Sequence, residues 1–208
     1  WMAIWWATEA IPVPVTAFMP IIAFPFLDVS SIAETTAAYA NPIIYLFLGA
    51  FILALAVERW NLHKRIALVI LSYAGTDGKR LIAGFMLVAA LLSMWMTNTS
   101  TTMMLMPIAL SVAKVIAENN QHLSSQQTQS FQTAMLLGLA YAATIGGMAT
   151  LVGTPPNALL AAFLNEQYDI KITFASWMLV GVPLMLCMLP LAWYSLTHWS
   201  FNVNIPAN

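Results

Sequence analysis

An all-α fold embedded in a membrane is what the sequence predicts, and three observations carry that prediction. Of 208 residues, 61% are hydrophobic and only 7% are charged, where soluble domains carry about 45–50% and 25%. Seven basic and eight acidic side chains cannot coat a 22.8 kDa globule, and the mean hydropathy is +0.79. The charges are also clustered: none occurs between Glu9 and Asp28, Glu34 and Glu58, Arg80 and Lys114, Glu118 and Glu166, or after Lys171. Those intervals do not alternate in ~10-residue pieces as barrel strands do, so helices must satisfy the backbone.

The elements follow in order. Ala10 to Leu27 is apolar but holds Pro12, Pro14, Pro20 and Pro25, which predicts a kinked or broken span. Pro42 to Val57 is a clean span with its proline in the first turn, where the missing N–H costs nothing. The 63–74 segment, from His63 toward Gly75-Thr76-Asp77-Gly78, is too short to cross about 30 Å of hydrocarbon and reads as an interfacial amphipathic helix. Leu81 to Ala117 would be roughly 55 Å long as one helix. The run Thr97-Asn98-Thr99-Ser100-Thr101-Thr102 at its centre is expected to form a turn, giving a re-entrant helical hairpin over 81–117 with its polar tip inside the membrane. Phe131 to Phe163 is interrupted by Gly146-Gly147 and Gly153-Thr154-Pro155-Pro156-Asn157; two prolines oppose the helix before them, so it should break near Gly153 and restart at Pro155 or Pro156. Residues 174–199 form the last span, with Trp193, Tyr194 and Trp199 as interfacial anchors.

Composition also excludes functions. A net charge of −1 argues against nucleic acid, which demands a basic face. The single Cys187 permits no internal disulfide, and no Cys/His spacing fits zinc. Acidic residues lie only near predicted helix ends, so catalysis within the bilayer has no candidates and no enzyme is expected. His63, His122 and His198 lie near interfaces and read as solvated; Glu9 reads as an anchor, and the Met94–Met106 methionines as packing. Five of the seven basic residues fall between Arg59 and Arg80, which places that segment in the cytoplasm. The opening Trp1, without an initiator Met, is expected to mark a fragment of a longer chain.

The two breaks are where chemistry converges, since interrupted spans point to a transporter's binding site. A helix starting after Asn98 and one starting at Pro155, capped by Thr154, both offer unpaired N–H groups and a positive dipole end to an anion. The carbonyls that end the preceding half-helices, with the Ser93 and Asn98 oxygens, suit a hard cation such as Na⁺. Isolated hydroxyls are ordinarily structural; six polar residues in a row at mid-run are not ordinary. Gly146-Gly147 reads as close helix packing.

At these same residues the chain resembles a known family. Trp5-Trp6-Ala7-Thr8-Glu9-Ala10-Ile11-Pro12, His63-Lys64-Arg65, Ser93-Met94-Trp95-Met96-Thr97-Asn98-Thr99, and Gly146-Gly147 through Gly153-Thr154-Pro155-Pro156-Asn157 resemble the divalent anion:sodium symporters. That family comprises sodium-coupled dicarboxylate, citrate and sulfate carriers. The resemblance covers their N-terminal half; the second, inverted repeat has no copy here, and the tip reads Thr-Asn-Thr where the family usually has Ser-Asn-Thr. It implies the N-terminal repeat of an elevator-type transporter, homodimeric at full length and multi-pass in the cytoplasmic (inner) membrane. Residues 1–80 would be scaffold and dimer interface, and 81–208 part of the moving transport domain. It implies sodium at Ser93, Thr97, Asn98 and Gly153, and a substrate carboxylate at Thr97, Asn98, Thr99, Thr154 and Pro155.

The expectation is therefore sodium symport of small dicarboxylates such as succinate or malate by alternating access, this chain carrying one sodium site and half of the substrate site. Its rivals are a sodium-independent dicarboxylate exchanger, a sulfate or citrate carrier of the same family, and a non-transporting subunit whose polar breaks only pack.

Overall fold

The computed structural model describes residues 1–62, 65–66, 68–69, 77–119, 124–201 and 203, and the elements in them are all helical. They pack as two compact units, 1–46 and 47–208.

The first unit holds α1 (Met2–Thr8), α2 (Val13–Phe26) and α3 (Ile32–Tyr39). Pro12 and Pro14 open α2, and the helix runs on through Pro20 and Pro25; of the kinked or broken span expected, the structure shows one unbroken helix of 14 residues, about 21 Å long. A Ser31–Glu34 capping box starts α3, satisfying two otherwise orphaned groups. Tyr39 ties α3 to α2: its hydroxyl donates to the Ala17 carbonyl at 2.6 Å and its ring stacks on Phe18 at 5.8 Å.

α4 (Pro42–Arg59) crosses the boundary between the units. Leu46, Leu48, Phe51, Ile52, Leu53 and Leu55 are all exposed, and a helix that is apolar all round needs lipid or protein around it. The interfacial helix expected over 63–74 lies largely outside the described residues; Arg65, Ile66, Leu68 and Val69 are helical.

The second unit is organised on α5 (Gly78–Ser93), α6 (Asn98–Asn119), α7 (Ser125–Gly147), α8 (Pro155–Tyr168) and α9 (Phe174–Tyr194), the last continuing into a π-helical turn, Ser195–Ser200. α7 touches α5, α6 and α9. Ile82, Phe85 and Met86 of α5 bury against Phe131, Met135 and Leu139 of α7, with Leu105 and Ala109 of α6 in the same core. Small residues set the spacing: a Cβ on Gly138 would lie 3.2 Å from Met86, and one on Gly146 would lie 2.5 Å from the Ala90 Cα.

Two sequence expectations need correction. The turn of the 81–117 segment is not the polar run 97–102 but Met94–Thr97, four residues that include two methionines and a tryptophan. Asn98–Thr102 form the first turn of α6, within one residue of the helix start expected after Asn98: Thr97 Oγ1 accepts from the Ser100 N–H at 3.2 Å and Thr102 Oγ1 donates to the Asn98 carbonyl at 2.8 Å, while the buried Thr101 hydroxyl has no partner among the described residues. The second correction concerns the 131–163 segment, whose helix begins earlier, at Ser125. There Ser124 and Gln127 form a capping box that draws six polar residues into the helix. Its second half closes at Tyr168, on the left-handed Asp169.

Candidate functional site

Two interruptions meet in the second unit: Met94–Thr97, between α5 and α6, and Met148–Thr154, between α7 and α8. Each arises from local chemistry. At the first, Ser93 ends α5 and Thr97 caps α6. At the second, Pro155 and Pro156 open α8 with Thr154 at the N-cap, although the Thr154 side chain makes no capping bond.

Ser93 is fully buried, and its hydroxyl donates to the Asn98 Oδ1 at 2.8 Å, closing the first break. The same Oδ1 fills the space beside Gly147 into which a Cβ would project. Gly153 is packed equally tightly: a Cβ there would lie 2.8 Å from the Gly147 Cα and 2.9 Å from the Ser93 carbonyl oxygen. Ser93, Asn98, Gly147 and Gly153 therefore occupy one point in space, and only glycine permits that approach at the last two positions.

Thr150 couples the breaks. Buried completely, it donates its hydroxyl hydrogen to the Met94 carbonyl and accepts the Gly153 N–H at 3.0 Å. Asn157, in the first turn of α8, donates both amide hydrogens, to the Gly147 carbonyl at 3.0 Å and the Thr150 carbonyl at 2.8 Å. It fastens α8 back onto the end of α7. α9 braces the outside: the Trp177 indole donates to the Met148 carbonyl at 3.0 Å, and a Cβ on Gly181 would meet the Ala149 oxygen at 2.8 Å.

Of the residues singled out from sequence, Ser93, Asn98 and Gly153 are brought together, with Thr97 capping the helix beside them. Thr97 and Asn98 are half-buried, Thr99 and Pro155 are exposed, and Thr154 is half-buried. The Thr99 and Thr154 side chains take no part in the bonds that tie the breaks together. Sequence reasoning assigned no role to Thr150 or Asn157, and read Gly147, with Gly146, as close helix packing. Asn157 stands two residues after Pro155, at a first-turn position facing back over the break, and that spacing was the available signal.

The arrangement concentrates neutral oxygens: the Ser93 hydroxyl and carbonyl, the Asn98 amide, and the backbone of the Gly147–Gly153 segment. Among the described residues no group of three His, Cys, Asp or Glu converges. Such donors suit a hard monovalent cation rather than a soft transition metal. The N-termini of α6 and α8 add peptide dipoles whose positive ends favour an anion.

The chain is 40% identical over 204 residues to the sodium-dependent dicarboxylate transporter SdcS of Staphylococcus aureus strain USA300, and equally to those of strains NCTC 8325 / PS 47 and COL. Each alignment covers 97% of this chain and 39% of the relative, so the chain spans about two fifths of the length of these relatives. A family described as "Citrate transporter" matches residues 3–204. A match of that extent, over a helical unit built on two interrupted apolar segments, means that the chain belongs to the citrate transporter family.

Proposed function

We propose that this chain forms part of a sodium-coupled secondary transporter for small dicarboxylates such as succinate or malate. The observation that carries the reading is the Ser93–Asn98 hydrogen bond seated on Gly147 and Gly153. It gathers cation-ligating oxygens directly beneath the N-terminus of α6. Sodium is held by Ser93, Thr97, Asn98 and the Gly153 backbone. One substrate carboxylate is held by Thr97, Asn98, Thr99 and the α8 start at Thr154 and Pro155. Every donor is neutral, so the dianion binds well only when bound cations offset its charge, and that dependence is the coupling. Asn98 belongs to both sites and is its centre.

In this reading the 81–117 segment is a re-entrant hairpin and 131–163 a broken helix. Residues 1–80 are the scaffold and dimer interface of an elevator-type homodimer in the cytoplasmic membrane, and 81–208 travel with the substrate. The name of the 40%-identical relatives, sodium-dependent dicarboxylate transporter, supports the choice of ion and substrate class.

The test is radiolabelled succinate uptake into proteoliposomes holding the full-length protein, with and without an inward Na⁺ gradient, and with or without internal unlabelled dicarboxylate. Uptake that requires Na⁺ and ignores the internal dicarboxylate is expected. In Asn98→Ala both uptake and its sodium stimulation should vanish; sodium-stimulated uptake surviving in that variant overturns the site. Uptake that follows internal dicarboxylate and ignores Na⁺ makes the protein an exchanger. Sulfate or citrate in place of succinate tests the other family substrates.

A further inference from the structure

The end of α9 does not finish as an α-helix. Ser195–Ser200 continues as six residues of π-helix, a rare geometry that recurs at functional sites. Here it carries Thr197 and His198 to the first turn of α5, more than a hundred residues earlier in the chain.

The hydrogen bonds made there form a closed ring whose directions can be worked out. Thr197 Oγ1 gives its one proton to the Trp193 carbonyl at 2.8 Å, so it accepts from His198 Nδ1, also at 2.8 Å. His198 is then the Nδ1–H tautomer, and its free Nε2 accepts from the Lys79 ammonium across a long 3.4 Å. The Trp193 indole N–H returns to the Lys79 carbonyl at 2.9 Å. Tyr194 stacks on the imidazole at 4.5 Å, and Trp193 meets it edge-on at 5.6 Å.

The ring positions Lys79 but leaves its charge uncompensated, because an imidazole supplies no negative charge. Arg80 beside it is exposed, and among the described residues neither cation pairs with a carboxylate. Asp77 spends one carboxylate oxygen on the Arg80 backbone N–H at 2.8 Å, as the cap of α5. Two cations in the first turn of a helix face the positive end of its dipole, where negative charge is favoured. An anion resolves this conflict.

The surroundings say which anion. Trp193, Tyr194 and the 81%-exposed Trp199 are amphipathic rings of the kind that settle at the headgroup level. Leu184, Met188 and Leu191, one exposed stripe of α9, lead away from the ring as a track for an acyl chain. We propose that Lys79 and Arg80 bind the phosphate of an anionic phospholipid, with His198 as the positioning residue that holds Lys79 in place and the aromatic rings around its headgroup. This site is separate from the paired breaks and does not depend on what they bind.

The test is native mass spectrometry of the delipidated full-length protein, titrated with phosphatidylglycerol, phosphatidylcholine or inorganic phosphate. Phosphatidylglycerol should bind more tightly than phosphatidylcholine. Its affinity should fall about thirtyfold in the Lys79→Gln/Arg80→Gln double variant, at about fivefold for each cation near a lipid surface. His198→Phe keeps the stacking but loses the acceptor; it should weaken phosphatidylglycerol alone, and His198→Gln should restore part of the loss. Lys171→Gln, a cation elsewhere on the exposed surface, should bind as the parent does. Should the double variant fail to fold, Arg80→Gln alone carries the test, since among the described residues its side chain makes no bond to lose. Unchanged phosphatidylglycerol binding in the charge variants, or equal binding of phosphatidylcholine, overturns the proposal. Displacement of the lipid by millimolar phosphate overturns it in favour of a free-anion site.

Discussion

The Asn98 side-chain oxygen stands where a Cβ of Gly147 would be. Adding that one methyl in Gly147→Ala should push the amide off Ser93 and dismantle the cation site, yet an amide at the end of a side chain can swing away, so the fold should survive. Gly146→Ala has no such escape, because its methyl meets the Ala90 backbone, with the Cα at 2.5 Å and the carbonyl carbon at 2.7 Å. It should cost about 1–3 kcal/mol or more through forced separation of α5 and α7. Thermal unfolding in detergent together with sodium-dependent uptake separates the two. Gly147→Ala should melt near the parent and transport poorly; Gly146→Ala should melt well below it. The reverse ranking would mean that the helices, not the side chain, yield at position 147.

Ser93→Ala removes the donor to Asn98 from a site with no exposure to water. A hydrogen bond of this kind contributes about 1 kcal/mol net, so apparent sodium affinity should drop about fivefold while maximal uptake changes little. The sodium concentration giving half-maximal uptake measures it directly. No shift would mean that neither the Ser93 hydroxyl nor its bond to Asn98 contributes to sodium binding.

Asn157→Ala should act through α8. Its amide holds the carbonyls of both Gly147 and Thr150, and losing it leaves two buried acceptors to find water. About 1–3 kcal/mol of stability should go, along with a rise in the sodium needed for uptake, because the Gly153 backbone is no longer fixed. Asn157→Asp should be worse, since a carboxylate offers acceptors where the site needs donors. An aspartate variant as stable as the alanine one would contradict the bonding described for Asn157.

What could be read in the sequence divides along a physical line. The start of α8 at Pro155 with Thr154 as its cap was legible, because proline restricts its own backbone and that of its neighbour whatever surrounds them. The helical character of the long apolar segments was legible for an equally local reason. The position of the first turn was not. Met94-Trp95-Met96 carries no turn residue, whereas Thr97–Thr102 looks like one until the Thr97 hydroxyl is seen capping α6 and the Thr102 hydroxyl bonding back within it. Ser93, Asn98 and Gly153 could be picked out as polar or glycine positions at a break. That Gly147 makes room for Asn98, and that Thr150 reaches Met94 across 56 residues, are properties of packing between helices, which no local pattern records. The π-helical turn that brings His198 to Lys79, Ser195–Ser200, follows α9 with no glycine or proline of its own and leaves no local mark.

Thr150 gives the sharpest test of whether the two breaks act as one unit. Its hydroxyl is the only atom of the side chain with polar work to do: it donates to the Met94 carbonyl on one break and accepts the Gly153 N–H on the other. Thr150→Ser keeps that hydroxyl and drops a methyl, so it should bind sodium as the parent does and lose about 1 kcal/mol of stability. Thr150→Val keeps the shape and drops the hydroxyl, leaving a buried N–H and a buried carbonyl unpaired at about 1–3 kcal/mol. If the hydroxyl couples the breaks, Thr150→Val should also raise the sodium required for succinate uptake, and a double variant with Ser93→Ala should be less than additive, since both act on the same turn. Additive effects would show that Thr150 stabilises the second break without reaching the first.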